Sequence, residues 1–330
     1  MKLKKILTAL LIGALSCVFP FVLSACAPTN EVPTDVSIVA PTGAPFVALA
    51  DMWGDDVEDV KITYEVITEN NVREKMISGQ ADFIIAPINV GNAVHAAYKN
   101  GDTRYDYKLM NVTSWGVLYL VTNDSTLKTR AECASLQEFM AQFAQKEVLT
   151  IGEAAIPGKT AQYLFTQAEV DVTLSGRDAT AIQQQFVSAT AESAPTTAVF
   201  AQPAITGTVA NAVNKPVKVL ASISEIYQEV TGEDFPMAGM FVRSDFYAQY
   251  PEFVAEVNEE VKESVEELNE DVEKVAQKIA RMENPPVPAA ILPRAYDKMN
   301  VKFKTSAQSK EAVKALLANI GGAAADDLFI

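Results

Sequence analysis

Short apolar runs typical of strands alternate with helical segments along most of this chain. Residues 36–40, 60–66 and 81–86 are such runs, and each is followed by a turn and by residues with helical spacing. The alternation resumes at 148–152 and 197–201, although the two halves share no sequence repeat. Because helices between strands cover the faces of a sheet, the pattern predicts an α/β fold.

The composition is that of a globular chain with an acidic surface. Hydrophobic residues make up 49% of the 330 residues, charged residues make up 21%, and the formal net charge is -15. Such a charge disfavours binding to nucleic acid or to an anionic membrane surface. A chain of this length accommodates two lobes of about 150 residues each or one large domain.

The N-terminal segment has the pattern of a secretory signal. Lysines at positions 2, 4 and 5 precede an apolar run at 6–22, which is followed by Leu-Ser-Ala-Cys at 23–26. Gly13, Ser16 and Pro20 interrupt the apolar run. These interruptions favour a cleaved signal over a stable membrane span.

The Leu-Ser-Ala-Cys segment resembles the bacterial lipobox. That resemblance implies a diacylglyceryl group on the Cys26 thiol, cleavage just before this residue, and an extracytoplasmic, lipid-anchored protein. Residues 1–25 would be the signal peptide and residues 26–34 a lipidated polar tether. A secreted protein with a chance cysteine and an uncleaved membrane anchor are the alternatives. Cys133 is left without a disulfide partner in the mature monomer.

A long amphipathic segment occupies residues 251–280. Its apolar residues recur every three or four positions between acidic ones, which is the spacing of a helix with one buried face. We expect one or two helices packed on their own lobe. A coiled-coil surface for a partner protein is the alternative.

Several segments in a fixed order resemble the solute-binding lipoproteins of ABC importers, in the nitrate, sulfonate, taurine and thiamine-precursor group. They are the lipobox, Pro-Thr-Gly-Ala-Pro at 41–45, and Ser-Gly-Gln-Ala-Asp-Phe at 78–83 leading to Ala-Pro at 86–87. The strand pattern also restarts near residue 122 and returns near residue 240. The resemblance implies the two-lobed, type 2 periplasmic-binding-protein fold, with two crossings between the lobes and a ligand cleft between them.

In that family the lobes close on a small solute by hinge motion and deliver it to a permease that a separate ATPase powers. For this chain the resemblance implies one lobe of residues 35–121 plus 240–330, and a second lobe of residues 122–239. The implied partners are a small-molecule solute, an ABC permease and its ATPase, with the membrane contacted through the lipid only. We expect a monomer without a cofactor or enzymatic activity.

Open α/β sheets bind ligands beyond the carboxyl ends of their strands, and the family's ligand-lining segments fall at such turns. Carried over by position, the resemblance implies that the ligand contacts Thr42, Gly43, Phe46, Asn89, Gly91, Asn92, Ser114, Trp115, Gly158, Lys159, Thr160 and Gln202. Lys159 would suit an anion such as a sulfonate or carboxylate. Asn89, Asn92 and Gln202 would equally suit a neutral heterocycle, so the sequence leaves the charge of the solute open.

Residues 152–160 nearly match a phosphate-binding loop. Gly-Glu-Ala-Ala-Ile-Pro-Gly-Lys-Thr has one residue too many between its glycines for the G-x-x-x-x-G-K-[ST] loop. The extra residue would displace the N–H groups that cradle a phosphate, so nucleotide binding is disfavoured. As a helix N-terminus that faces a cleft, the segment could still bind an acceptor or an anion.

His95 is the only histidine and lies in a helical stretch. One histidine supplies neither a metal cluster nor a second candidate for a catalytic triad, so no catalytic or metal-binding residue is predicted. The enzyme alternative is a lyase or dehydratase on the same bilobed fold. A lipoprotein whose surface binds a partner protein is the third possibility, which a large exposed apolar patch would favour.

Overall fold

Two β-sheets organise residues 32–330, the part of the chain that the computed structural model describes. In chain order the strands are β1 (Val36–Pro41), β2 (Ile62–Ile67), β3 (Phe83–Pro87), β4 (Tyr107–Ser114), β5 (Leu118–Thr122), β6 (Glu147–Ile151), β7 (Thr173–Arg177), β8 (Thr197–Ala201), β9 (Lys218–Ser222), β10 (Ala238–Arg243) and β11 (Val301–Thr305). The first sheet has the order β11-β4-β10-β3-β1-β2, and the second has the order β7-β6-β8-β5-β9.

Each sheet contains a block of three parallel strands. β1 is parallel to β2 and β3, and β6 is parallel to β7 and β8. β10 is antiparallel to β3 and β4, β11 is antiparallel to β4, and β5 is antiparallel to β8 and β9. Parallel neighbours end at the same edge of a sheet, so the turns after β1, β2 and β3 lie together, as do those after β6, β7 and β8.

Helices connect the strands and cover the sheets. They are α1 (Ala44–Val47), α2 (Val72–Ser78), α3 (Ile88–Lys99), α4 (Leu136–Ala141), α5 (Ile156–Gln167), α6 (Ala179–Val187), α7 (Ala204–Asn211), α8 (Ile223–Thr231), α9 (Ser244–Gln249), α10 (Pro251–Glu270), α11 (Val272–Ala280), α12 (Leu292–Ala295) and α13 (Ser306–Asn319). Short 3₁₀ turns lie at Glu69–Asn71, Arg130–Glu132, Tyr296–Lys298 and Asp326–Leu328.

The central strands of the first sheet are buried on both faces. β3 and β10 carry almost uninterrupted apolar residues, and nearly all of them are inaccessible to solvent. Such continuous runs are typical of strands that helices cover on both sides. One large apolar cluster surrounds this sheet and extends into the second, and a smaller cluster around Val121, Phe186 and Phe200 lies on the second sheet.

β5 belongs to the second sheet, which corrects the expected grouping of residues 116–121 with the first lobe. The strand pairs with β8 and β9 and with no strand of the first sheet. The chain therefore leaves the first sheet at 115–117 and returns to it through residues 223–237. The sequence of one apolar strand does not show which strands it pairs with, so it could not assign β5 to a sheet.

The amphipathic segment at 251–280 forms two helices, α10 and α11, and packs on its own body as predicted. Asp271 separates them, because its backbone leaves the helical conformation (φ -143°) and its side chain accepts the Lys274 N–H at 2.9 Å. α10 packs on β4 and β11, with Val257 and Val261 fully buried.

Residues 46–53, which follow the turn after β1, have helical spacing, but the helix there is shorter than this spacing predicts. α1 ends at Val47, and turns continue to residue 54. The N–H of Leu49 donates to the Phe46 carbonyl and the N–H of Ala50 to the Val47 carbonyl, which are three-residue turn bonds and not helical ones.

The predicted signal peptide, Cys26 and most of the predicted tether lie outside the described residues. Those predictions therefore stay predictions. Within residues 32–330, every helix is too short or too polar to cross a membrane.

Candidate functional site

A cavity of about 520 Å³ lies where the parallel strands of both sheets end. The first sheet contributes the turns after β1, β2 and β3, and the second contributes those after β6, β7 and β8. Val117 and Met237, one from each crossing between the sheets, complete the wall. The volume is typical of small-molecule sites, and open α/β sheets bind ligands at this edge.

The wall of this cavity, called the cleft below, is mostly apolar with a few polar groups. Its larger apolar residues are Pro45, Val90, Val117, Leu118, Ile151, Ile156, Pro157, Phe200 and Met237. Its polar side chains are Thr42, Glu69, Asn70, Asn89, Ser114 and Gln202. Such a wall suits an organic molecule whose apolar body is enclosed while a few hydrogen bonds orient it.

Gln202 presents a hydrogen-bond donor to the cleft. It follows β8 and is only 2% exposed. Its Oε1 accepts from the Thr206 hydroxyl at 2.8 Å and from the Thr206 N–H at 3.3 Å. Since Oε1 is occupied, the Nε2 amide group is left for a ligand, and it has no partner among the described residues.

Asn89 presents an acceptor from the opposite sheet. It is the second residue of α3, directly after β3. Its Oδ1 atom is buried and has no hydrogen-bond partner among the described residues. Leaving a buried acceptor unpaired is costly, so a donor from a ligand or from a water molecule would complete this side chain.

Glu69 is the only ionisable residue among those that line the cleft. It lies in the 3₁₀ turn after β2, and its carboxylate has neither an ion pair nor a hydrogen bond within residues 32–330. Glu69 is an exposed residue, but the neighbouring protein withdraws enough water from its carboxyl to raise the pKa above its ordinary value.

Five of the residues predicted to contact a ligand line the cleft: Thr42, Gly43, Asn89, Ser114 and Gln202. These positions share one property, since each lies at or just after the end of a strand. The N–H groups of Thr42 and Gly43 are already bonded to the carbonyls of Ile67 and Pro286. Only the Thr42 side chain is therefore free to contact a ligand there.

Phe46, Gly91 and Asn92 do not line the cleft. Phe46 is fully buried and makes an edge contact with the Trp53 ring, with the centroids 4.8 Å apart. Gly91 lies against the Phe241 ring, where an added Cβ would come within 2.1 Å of a ring carbon. The Asn92 Nδ2 donates to the carbonyl of Ala323 at 3.0 Å, so its side chain serves packing of the C-terminal segment.

Gly158, Lys159 and Thr160 lie within α5 and face away from the cleft. Gly158 packs so closely on Gly152 and Glu153 that an added Cβ would lie 2.5 Å from the Gly152 carbonyl oxygen. Lys159 borders a different cavity of about 450 Å³, together with Tyr163 and Asn319. Thr160 is fully buried. The glycine-lysine segment is therefore a packed helix start and not an anion loop of the cleft.

Trp115 secures the first crossing between the sheets and lies outside the cleft. Its Nε1 donates to the carbonyls of Val112 at 3.1 Å and Lys302 at 3.0 Å, and the Lys304 ammonium lies 4.4 Å from the ring centroid. The Trp115 carbonyl accepts a hydrogen bond from the side chain of Asn300. These contacts hold Trp115 in place at the start of the crossing at 115–117.

Sequence reasoning missed Glu69 and Asn70. No motif marks the turn after β2, unlike the turns after β1 and β3. The rule that ligands bind beyond the carboxyl ends of parallel strands would have located this turn as well, because β2 is parallel to β1.

His95 is a buried structural residue that does not line the cleft. It is 1% exposed, with Nδ1 2.7 Å from an Asp106 carboxylate oxygen and Nε2 3.2 Å from an Asp327 carboxylate oxygen. The hydrogen bond to Asp106 raises the pKa of His95 above its ordinary value, against the opposing effect of burial. Within residues 32–330, no three His, Cys, Asp or Glu side chains come together as metal ligands.

One protein-family model matches part of the chain. It describes menaquinone biosynthesis and matches residues 207–320, which is less than half of the sequence. No curated protein sequence is similar enough to this chain to count as a match.

Solved structures of an ABC transporter and of periplasmic binding proteins match most of the chain. An ABC transporter from Parabacteroides distasonis is 15% identical with a TM-score of 0.69, over 90% of this chain and 99% of that one. The aliphatic sulphonate-binding protein SsuA from Escherichia coli is 14% identical with a TM-score of 0.61, over 88% and 86%. The nitrate-binding protein NrtA from Synechocystis is 13% identical with a TM-score of 0.61, over 87% and 80%. The two sheets and the cleft between them thus have the two-lobed, type 2 fold of periplasmic solute-binding proteins, as the sequence predicted.

Proposed function

We propose that this chain is an extracytoplasmic solute-binding lipoprotein that captures a small organic solute and delivers it to an ABC importer. The observation that carries the proposal is the cleft, in which unpaired polar groups from both sheets face an enclosed apolar space. Asn89 supplies an acceptor from the first sheet and Gln202 a donor from the second. One ligand that bonds to both would hold the two sheets together.

In the proposed mechanism, solute binding favours a closed arrangement of two lobes. We assign the first sheet and α9–α13 to one lobe, and residues 118–222 to the other. Residues 115–117 and 223–237 would be the two crossings about which the lobes move. The closed state would dominate with solute bound because only that state allows contacts from both sheets. No chemical step is required of the protein.

The location of the protein is a separate part of the proposal. It rests on the Leu-Ser-Ala-Cys segment at 23–26 and on the fold that the chain shares with periplasmic binding proteins. Intact mass measurement of protein extracted from membranes tests it. We expect a mature chain that starts at Cys26 and carries a lipid, and a Cys26→Ser variant without that added mass. An unmodified Cys26 would contradict the lipid anchor.

Native mass spectrometry of the full-length protein tests solute capture. The protein would be measured before and after denaturation, after incubation with small-molecule extracts from bacteria. We expect the release of a molecule of defined mass, and we expect the pure compound to raise the melting temperature. A chain that retains no molecule from any extract, and whose melting temperature none of them raises, would contradict the proposal.

An enzyme on the same fold is the second candidate, because a family model for menaquinone biosynthesis matches residues 207–320. Glu69 would be its acid or base, as the only ionisable residue that lines the cleft. The same experiment separates the two candidates. A receptor releases the retained molecule unchanged, whereas an enzyme converts it with time at a rate that Glu69→Gln abolishes.

A further inference from the structure

We infer that the solute carries a positive charge, as a protonated amine or another organic cation, and that Glu69 is its partner in the cleft. The inference rests on the proposed function and names the chemical class of the ligand. It differs from the two solutes that the sequence suggested, an anion and a neutral heterocycle.

The distribution of charge in the cleft is the first reason. None of the lining residues is Lys, Arg or His, and Glu69 is the one full charge. Lys159, the residue that favoured an anion, borders the separate cavity beside Tyr163. An anion that entered the cleft would lose its hydration without gaining a cationic partner, and it would meet a carboxylate.

The helix N-termini at the cleft oppose this preference for a cation, but none of them supplies a full positive charge. α3, α5, α6 and α7 begin at the cleft, and a helix N-terminus carries about half a positive charge. At α7, however, the N–H of Thr206 already donates to Gln202 Oε1 at 3.3 Å. At α3, the N–H of Ile88 already donates to the Met237 carbonyl at 3.0 Å. At α5, Pro157 occupies the second position and has no N–H to offer.

The unpaired state of Glu69 is the second reason. Neither an ion pair nor a hydrogen bond holds its carboxylate within residues 32–330, and partial desolvation raises its pKa although the residue is exposed. A cation beside it would remove that penalty, since an opposite charge stabilises the ionised carboxylate. The Asn89 Oδ1 atom is a second acceptor without a partner, which suits a ligand rich in N–H donors.

The apolar wall and the overall charge complete the description. Ile151, Ile156, Phe200 and Met237 would enclose the carbon skeleton of the ligand. The formal net charge of -15 attracts cations to the protein as a whole and raises the rate at which they arrive.

Three matched mixtures of small molecules test the inference on the full-length protein in detergent. All three would contain the same linear and aromatic carbon skeletons, which end in an ammonium, a hydroxyl or a sulfonate group. Melting temperatures would be measured with each mixture, and the compound with the largest shift would be titrated by calorimetry. Glu69→Gln is the test variant. Glu74→Gln is the matched control, since it removes the same charge from another exposed residue, one that does not line the cleft.

We expect the ammonium mixture to give the largest shift. Glu69→Gln should weaken the affinity for the selected amine at least about tenfold, as the loss of a charge-assisted hydrogen bond would, and Glu74→Gln should leave it unchanged. A larger shift with the hydroxyl or sulfonate mixture would overturn the inference and leave the proposed receptor function standing. So would an amine affinity that Glu69→Gln leaves unaltered. No shift with any mixture would count against the receptor function together with the inference.

Discussion

Gly91 shows how one residue can be essential for packing although its neighbours suggest a ligand site. It lies in α3, where the helix crosses the buried Phe241 of β10, and an added Cβ would approach three ring carbons to between 2.1 and 2.7 Å. We expect Gly91→Ala to lower the free energy of unfolding by about 1–2 kcal/mol, because the steric cost exceeds the gain in helix propensity.

Urea denaturation measures this effect of Gly91→Ala. Ala96→Ser, an exposed substitution on the same helix, is the control and should change stability by less than about 0.5 kcal/mol. If Gly91→Ala were as stable as the wild type and bound solute more weakly, Gly91 would be a ligand residue after all.

His95 makes the stability of the protein depend on pH. Its ring joins Asp106 and Asp327, and the Asp106 hydrogen bond raises the pKa of His95 in the folded state. Because the pKa of His95 is higher in the folded state, its protonated ring stabilises the fold. The whole contribution is present at pH values below the unfolded-state pKa of about 6.5. That contribution is lost as the pH rises through the folded-state value.

We therefore expect the stability difference between the wild type and His95→Gln to be largest near pH 6 and to shrink towards about pH 9. Chemical denaturation of both proteins across this range measures it. Other titrating groups cancel in the difference. A difference that stays constant with pH would show that the histidine acts as a neutral hydrogen-bonding residue.

At the scale of single elements, α10 is the clearest case of a helix whose apolar face holds it to the body. Val261 lies at the centre of this helix and is fully buried. We expect Val261→Ala to cost about 2 kcal/mol of stability, from lost apolar burial and the cavity that remains. Glu256→Ala, on the exposed side of the same helix, should cost almost nothing. Equal effects of the two substitutions in thermal denaturation would contradict this packing.

The two crossings touch each other at Gly116. Its φ of 117° disfavours other residues, and an added Cβ would lie 2.5 Å from the Cβ of Ser224 at the start of α8. We expect Gly116→Ala to push the crossings apart, lower the melting temperature and weaken closure. Val213→Ala, at an exposed position away from the crossings, is the control. Unchanged stability and closure in Gly116→Ala would show that the crossings do not depend on this contact.

The cleft shows which parts of the site a sequence can reveal. The apolar pattern shows where a parallel strand ends, and the residues predicted at such ends, Thr42, Asn89 and Gln202, line the cleft. Their contact with a ligand stays a prediction. Side-chain direction within a helix was not visible. Gly91 lies about 200° around the axis of α3 from Asn89 and packs against Phe241. Asn92 lies nearer the face of Asn89, but its side chain bonds to the carbonyl of Ala323. Both positions therefore contact the protein interior.

The sequence also did not reveal which strands pair with each other. The α/β class and the return of the chain near residue 240 were predicted, since they follow from local patterns. The assignment of β5 to the second sheet depends on partners at 197–201 and 218–222, which lie far along the chain. The sequence did not mark Glu69 as a cleft residue, because a single acidic residue in a turn forms no recognisable motif.

At the scale of the whole molecule, solute capture should make the protein more compact. Small-angle scattering on the full-length protein would compare the free state with the state saturated by the amine selected above. We expect the radius of gyration to decrease from a value of roughly 19 Å for the body, since the two sheets approach each other. An unchanged radius with saturating solute would contradict closure of the lobes.

The position of β10 has a consequence for the order in which the protein folds. β10 lies between β3 and β4, so the first sheet lacks its centre until residue 243 has been added to the chain. The second sheet needs residues 118–222 alone.

Pulse-labelled hydrogen exchange during refolding should protect the amides of β5 and β8 before those of β3 and β4, and simultaneous protection would contradict this order. During synthesis from the N-terminus, the second sheet would thus be complete before the first, although β1–β4 of the first sheet are synthesised earlier. The cleft needs both sheets, and a chain that binds solute has for that reason already finished folding.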